Sequence, residues 1–115
     1  TDVAKGMAHL ASCHFVHRDL AARNVLVSAT KSCRVADFGL SRAVDDGQYY
    51  KSEKGQFPVR WTAPEAMKDA KYTQASDVWS FGGTLWEIMD YGRHRPYHRF
   101  RMKDVARHVK GGGRQ

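Results

Sequence analysis

Eight consecutive residues, His17-Arg18-Asp19-Leu20-Ala21-Ala22-Arg23-Asn24, bring together an imidazole, two guanidiniums, a carboxylate and a carboxamide. Apolar runs flank them, Phe15-Val16 before and Val25-Leu26-Val27 after, so this polar cluster is held near a core and aimed at something. Eighteen positions after Asp19 comes Asp37, which opens Asp37-Phe38-Gly39 at the end of another short apolar run, Arg34-Val35-Ala36. Two carboxylates and an amide on neighbouring loops suit Mg²⁺ and a phosphate, because hard cations take oxygen ligands. A lone Asp or Asn is more often a cap or turn residue. That bland alternative is weak here, because the residues between and around them also form a pattern.

The elements that must position these groups show as periodicities. Val3, Met7 and Leu10 recur at helical spacing, with Ala4, Ala8 and Ala11 on an adjoining stripe, so residues 2–12 read as a helix end. Val25–Val27 and Cys33–Ala36 are β-prone runs separated by a polar turn, and a hairpin between them delivers Asn24 and Asp37 to one edge. Residues 40–60 hold no sustained period and read as a long loop, which in a compact domain is usually functional or mobile. Thr62 is placed to cap a short helix opening with Ala63-Pro64-Glu65, proline being suited to a first turn.

A stronger helix starts at Ser76-Asp77, runs from Val78 to Met89 and is ended by Gly92. Trp79, Phe81, Leu85, Trp86, Ile88 and Met89 lie almost all round it, which predicts burial on every side. Gly82 and Gly83 within it cost about 1 kcal/mol each relative to Ala, a cost that close approach of neighbouring backbone would offset. Met102, Val105, Ala106 and Val109 then give one apolar stripe on a basic amphipathic helix, stopped by glycines.

At 115 residues the chain is one domain or part of one. It holds no apolar run of the roughly 18 residues a membrane span needs. The lack of an initiator Met and the Gly111-Gly112-Gly113-Arg114-Gln115 ending lead to the expectation of an internal segment. Cys13 and Cys33 fit no metal spacing and make no disulfide framework, which favours a reduced, cytoplasmic setting. The net charge of +7 is concentrated in residues 93–115, where Asp104 is the one acid. Such a tail is either a solvated helix face or a surface for an acidic peptide or an anionic membrane. Nucleic acid is not expected, since Tyr97 and Phe100 are too few for a stacking platform.

The run from His17 to Asn24 followed by Asp37-Phe38-Gly39 matches the protein-kinase signature, and the chain resembles the C-terminal catalytic lobe of a protein tyrosine kinase over nearly its whole length. The resemblance implies an α+β fold, a mainly helical lobe of an incomplete kinase domain, with a short β-hairpin carrying the catalytic and metal-binding loops. On this pattern residues 15–24 are the catalytic loop, 37–39 the metal-binding motif, 37–65 the activation segment, 76–90 a central buried helix and 101–110 a basic helix. Asp19 is then the catalytic base, with Arg23 and Asn24 beside it, and Asn24 and Asp37 hold the Mg²⁺ that accompanies ATP.

Further roles follow from the same resemblance. His17 and Phe38 stack in a hydrophobic spine, and the Asp77 carboxylate accepts hydrogen bonds from the backbone of the His17-Arg18 turn. Glu65 pairs with a later Arg that this chain does not reach, so it is expected to be exposed or misplaced. Tyr49 and Tyr50 are candidate autophosphorylation sites whose phosphate would pair with Arg18 and Arg42. Tyrosine as acceptor rests on Ala21-Ala22-Arg23, where serine/threonine kinases usually carry a Lys, and on Pro58-Val59-Arg60-Trp61, similar to the apolar platform on which a substrate ring packs.

The spacing of Tyr49 suits Src-like cytoplasmic kinases and that of Tyr50 suits ephrin-receptor kinases. Asp90-Tyr91-Gly92 and Arg95-Pro96-Tyr97 look receptor-like, although His98 replaces the usual Trp, so a cytoplasmic enzyme and the intracellular part of a receptor are both open. The implied partners are ATP and tyrosine-bearing protein substrates, acidic-flanked if the basic tail borders the peptide groove; a membrane enters only through segments outside this chain. No Gly-rich phosphate loop, strand Lys or partner Glu is present, so the piece alone is expected to be inactive, with an apolar patch open on the Val78–Met89 helix. The alternative is a non-catalytic kinase-like module that binds partners through its Tyr97–Val109 surface. An upstream Gly-rich loop with its Lys would decide between them.

Overall fold

The computed structural model describes residues 2–36, 50–52 and 55–115. The first helix, α1 (Asp2–Ser12), is followed by a 3₁₀ turn at Ala22–Asn24 and two strands, β1 (Val25–Val27) and β2 (Cys33–Val35). A second strand pair, β3 (Tyr50–Ser52) and β4 (Gly55–Phe57), leads into a 3₁₀ turn at Val59–Trp61. Three helices complete the chain, α2 (Pro64–Asp69), α3 (Gln74–Met89) and α4 (Met102–Lys110). The fold is α+β, mainly helical, with two small antiparallel sheets among the described residues.

The expected hairpin forms with Val25 opposite Val35 and Val27 opposite Cys33. The Ala36 N–H donates to the Asn24 carbonyl at 2.8 Å, so the pairing runs on to the residue before Asp37. Asp2, in the first turn of α1, accepts the Cys33 N–H at 2.9 Å and ties that helix to β2. The expectation of an unstructured loop over 40–60 needs correcting at its end, because Tyr50 pairs with Phe57 and Ser52 with Gly55. Three residues per strand, with a Lys in one and a Gly in the other, are too few to show a two-residue period.

Ala63, not Thr62, caps α2, and it supplies no side-chain bond. The Thr62 hydroxyl is used elsewhere, donating to the Pro58 carbonyl at 2.7 Å across the 59–61 turn. Helix α3 begins two residues before the expected Ser76, because Thr73 and Ser76 form a reciprocal capping box. At its other end the Tyr91 N–H donates to Ile88 and the Gly92 N–H to Glu87, a Schellman closure. Both Tyr91 (φ 57°) and Gly92 (φ 68°) take the left-handed conformation, so the stop involves a tyrosine as well as the glycine.

The burial expected on every side of α3 is not found. Val78 is 68% exposed and Met89 78%, with Leu85 and Ile88 also open, whereas Ser76, Asp77, Ser80 and Thr84 are buried. Val78, Leu85, Ile88 and Met89 form the open apolar patch expected on this helix, and Trp79, Phe81 and Trp86 are half-buried. A polar face turns inward to backbone groups of the catalytic loop and the 59–61 turn. Gly83 is explained by close approach, though of a ring: a Cβ there would lie 3.2 Å from Trp61 Cδ1. Gly82 faces open space.

The main core gathers Phe57, Val59, Met67, Tyr97, Val105, Ala106 and Val109, with Trp79 and Met102 packed against it. The predicted stripe on α4 therefore buries against α2 and the 59–61 turn. Among the described residues no helix is long and apolar enough to cross a membrane.

Candidate active site

The catalytic-type loop leaves α1 through His14, in a left-handed turn at φ 58°, and enters the interior at His17. Asp77, in the first turn of α3, receives it: Oδ2 accepts the His17 N–H at 2.7 Å and Oδ1 the Arg18 N–H at 3.0 Å. Arg18 has φ 74°, a costly conformation for a residue with a Cβ, and these two charge-assisted bonds hold it there. The fully buried His17 ring spans the loop. Its Nδ1 accepts the Asp19 N–H at 3.0 Å and its Nε2 bonds the Ala36 carbonyl at 2.8 Å, which selects the tautomer protonated on Nε2.

Asp19 is 1% exposed and its Oδ1 accepts from Arg23 Nη2 at 2.6 Å. The Arg23 guanidinium also lies over the Trp61 ring, 4.6 Å from its centroid. Asn24 is completely buried, and its Nδ2 donates to the Asp19 carbonyl at 2.6 Å. Asn24 Oδ1 finds no hydrogen-bond partner among the described residues. A buried carboxamide oxygen without a donor is costly in a finished interior, and it is the kind of hard oxygen a divalent cation takes. The Asn24–Ala36 backbone bond extends the hairpin pairing as far as Ala36.

Asp37, Phe38, Gly39, Arg42 and Tyr49 lie outside the described residues, so their expected roles have no geometry here. Tyr50 is the first residue of β3. Arg18, expected to meet a phosphate, has its guanidinium 4.1 Å from the centre of the Tyr72 ring. Burial raises the Tyr72 pKa while Arg18 opposes that rise. Glu65, in the first turn of α2, is half-buried, with no ion pair among the described residues.

The 58–61 turn corrects the idea of an open apolar platform. Pro58, Val59, Arg60 and Trp61 are all buried, so their side chains fill the interior and do not form surface. Arg60 explains why: it donates to the carbonyls of Pro96, Tyr97 and Phe100 at 3.0, 2.7 and 2.8 Å, clamping the segment before α4. Desolvation, then nearby Arg95, lowers its pKa. His98, in place of a Trp, stacks on His94 at 4.2 Å between ring centres.

Sequence reasoning missed the inner face of α3 beyond Asp77. Ser80 Oγ donates to the Trp61 carbonyl at 2.6 Å, and Glu87 Oε1 accepts both the Ala22 N–H and the Trp61 indole N–H. The signal was present as the spacing Asp77, Ser80, Thr84, Glu87, one polar stripe on a helix otherwise rich in apolar residues.

Comparison with known proteins shows the family. A family model described as protein tyrosine and serine/threonine kinase matches residues 1–115. The chain is 50% identical over 114 residues to ephrin type-A receptor 7 of Gallus gallus, covering 97% of this chain and 11% of that protein. It is 50% identical over 112 residues to ephrin type-B receptor 3 of Danio rerio, covering 94% of this chain and 22% of that protein. It thus spans a small part of the relatives it matches. The chain belongs to the protein tyrosine and serine/threonine kinase family.

Proposed function

We propose that this chain carries the catalytic loop of a receptor-type protein tyrosine kinase, which transfers the γ-phosphoryl group of ATP to tyrosine hydroxyls of protein substrates. The observation that carries the proposal is the juxtaposition of a buried Asn24 Oδ1, which has no hydrogen-bond partner among the described residues, with an Asp19 carboxylate held by Arg23. Asp19 orients the acceptor hydroxyl and takes its proton. Arg23 holds that carboxylate in place. Asn24 Oδ1 and the Asp37 carboxylate would hold Mg²⁺, which when bound neutralises charge on the triphosphate. Asp77 fixes the loop backbone before and at the strained Arg18.

Tyrosine specificity is supported by Ala21-Ala22-Arg23 and by the likeness to ephrin receptors. With its side chains turned inward, the 58–61 turn acts by shaping the floor on which the acceptor docks. Tyr50, at the start of β3, and Tyr49 beside it are the proposed phosphorylation sites within an activation segment of residues 37–65. Receptor-type organisation places this part inside the cell.

The test is phosphoryl transfer from ATP to a poly-Glu-Tyr substrate by the full-length protein, with Asp19→Asn as control. Transfer to tyrosine that disappears in the variant supports the proposal. An inactive full-length protein, or a variant as active as the wild type, refutes it.

A further inference from the structure

Glu87 lies on α3, far along the chain from the loop it serves. One of its oxygens, Oε1, accepts two hydrogen bonds: from the Ala22 backbone N–H at 2.9 Å and from the Trp61 indole N–H at 2.7 Å. The first donor belongs to the catalytic-type loop and the second to the 59–61 turn. Gly83, one helical turn earlier, leaves the space in which the indole lies. Arg23 connects the other end, with its guanidinium 4.6 Å from the centre of the Trp61 ring and its Nη2 2.6 Å from Asp19 Oδ1. A circuit therefore runs from Asp19 through Arg23, Trp61 and Glu87 to Ala22, the residue next to Arg23.

The chemistry of this junction is demanding. Trp61 is 2% exposed, and a buried indole N–H or backbone N–H left without an acceptor is costly. An ionised carboxylate is acceptor-only and binds both donors more strongly than a neutral group does. We infer that Glu87 is a positioning residue for phosphoryl transfer: by fixing the Trp61 ring against Arg23 it sets where Arg23, and through it Asp19, stands, and it couples the acceptor-side turn to the catalytic loop. The inference rests on the kinase function proposed above.

The experiment compares Glu87→Ala and Glu87→Gln in the full-length protein, assaying peptide phosphorylation with ATP and hydrogen exchange in the segment 20–24. Glu87→Ala is expected to lower kcat/KM for the peptide about 10- to 100-fold, as small misplacements of catalytic groups do. The KM for ATP should stay within about twofold and exchange at 20–24 should quicken, since Ala22 loses its acceptor. The Gln amide oxygen still accepts both bonds, so Glu87→Gln should stay within about threefold of wild type with slow exchange.

Three results overturn the inference: Glu87→Ala behaving as wild type, the ATP and peptide KM rising together, or Gln being as damaging as Ala. If Glu87→Ala fails to fold, Glu87→Asp, which keeps the carboxylate but shortens its reach, takes its place under the same expectations. Wild-type protein that transfers nothing to tyrosine overturns the kinase function itself. Active wild type indifferent to position 87 overturns only the role of Glu87.

Discussion

Asp77 and His17 lie 60 residues apart in sequence, yet the Asp77 carboxylate accepts the backbone N–H of His17 at 2.7 Å and that of Arg18 at 3.0 Å. Local sequence does not place Arg18 at φ 74°; a helix from later in the chain does. Asp77→Ala leaves two N–H groups unpartnered and releases that strain, so it should cost on the order of 3 kcal/mol. Asp77→Asn retains one acceptor oxygen and should cost less. Urea denaturation of the two variants checks the order, and equal midpoints would show that the bonds add nothing.

Asp19→Asn keeps size and polarity while removing the charge that, on the proposed function, orients the acceptor and receives its proton. In the full-length protein it should abolish phosphoryl transfer and leave nucleotide binding nearly intact. If Asp37 is the metal ligand proposed above, Asp37→Asn removes that ligand's charge and should weaken Mg-ATP binding itself. Calorimetry with Mg-ATP separates the two, and equal affinities would mean the roles are misassigned.

Gly82 and Gly83 are neighbours with opposite prospects. Gly82→Ala meets open space and should stabilise α3 by up to about 1 kcal/mol. Gly83→Ala sets a methyl 3.2 Å from the buried Trp61 ring, so overpacking should offset the gain and make it destabilising by about 1–3 kcal/mol. Thermal melts of the two variants give the comparison directly.

Tyr97 has its pKa raised from 10.0 by burial, with Arg114 opposing the rise. A group whose folded pKa lies above its unfolded value contributes stability that is fully present below pH 10.0 and lost as the pH climbs through the folded value. Stability should therefore fall above pH 10.0, and Tyr97→Phe should flatten that fall. Denaturation midpoints measured across the alkaline range test the slope.

Arg99, Arg101, Lys103 and Arg107 are exposed on and before α4, and Asp104 pairs with Arg101 at 3.1 Å. Exposed charge at this density acts mainly by steering. Tyrosines flanked by Glu or Asp should be preferred modestly, each exposed pairing contributing about 0–1 kcal/mol. The preference should shrink at high salt. A peptide array run at two ionic strengths would show it, and equal phosphorylation of acidic and neutral flanks at low salt would leave α4 a plain solvated face.

Much of the site was legible in the sequence, because its signals are local. The His17–Asn24 run, the β-prone segments that place Asn24 opposite Ala36, and the stripe Met102, Val105, Ala106 and Val109 are all read from residues a few positions apart. What only the tertiary structure decided is which way faces turn. Helix α3 carries both an apolar and a polar stripe; its open apolar patch and the Asp77 contact were expected, whereas the inward turn of Ser80, Thr84 and Glu87 was not. The polar stripe goes inward because backbone donors from 60 and 65 residues away need the carboxylates of Asp77 and Glu87. The 58–61 turn likewise looked like surface until Arg60 found three carbonyls between Pro96 and Phe100. Periodicity reports which side chains share a face, but a buried polar group chooses its face by its partner, and that partner is supplied by the fold.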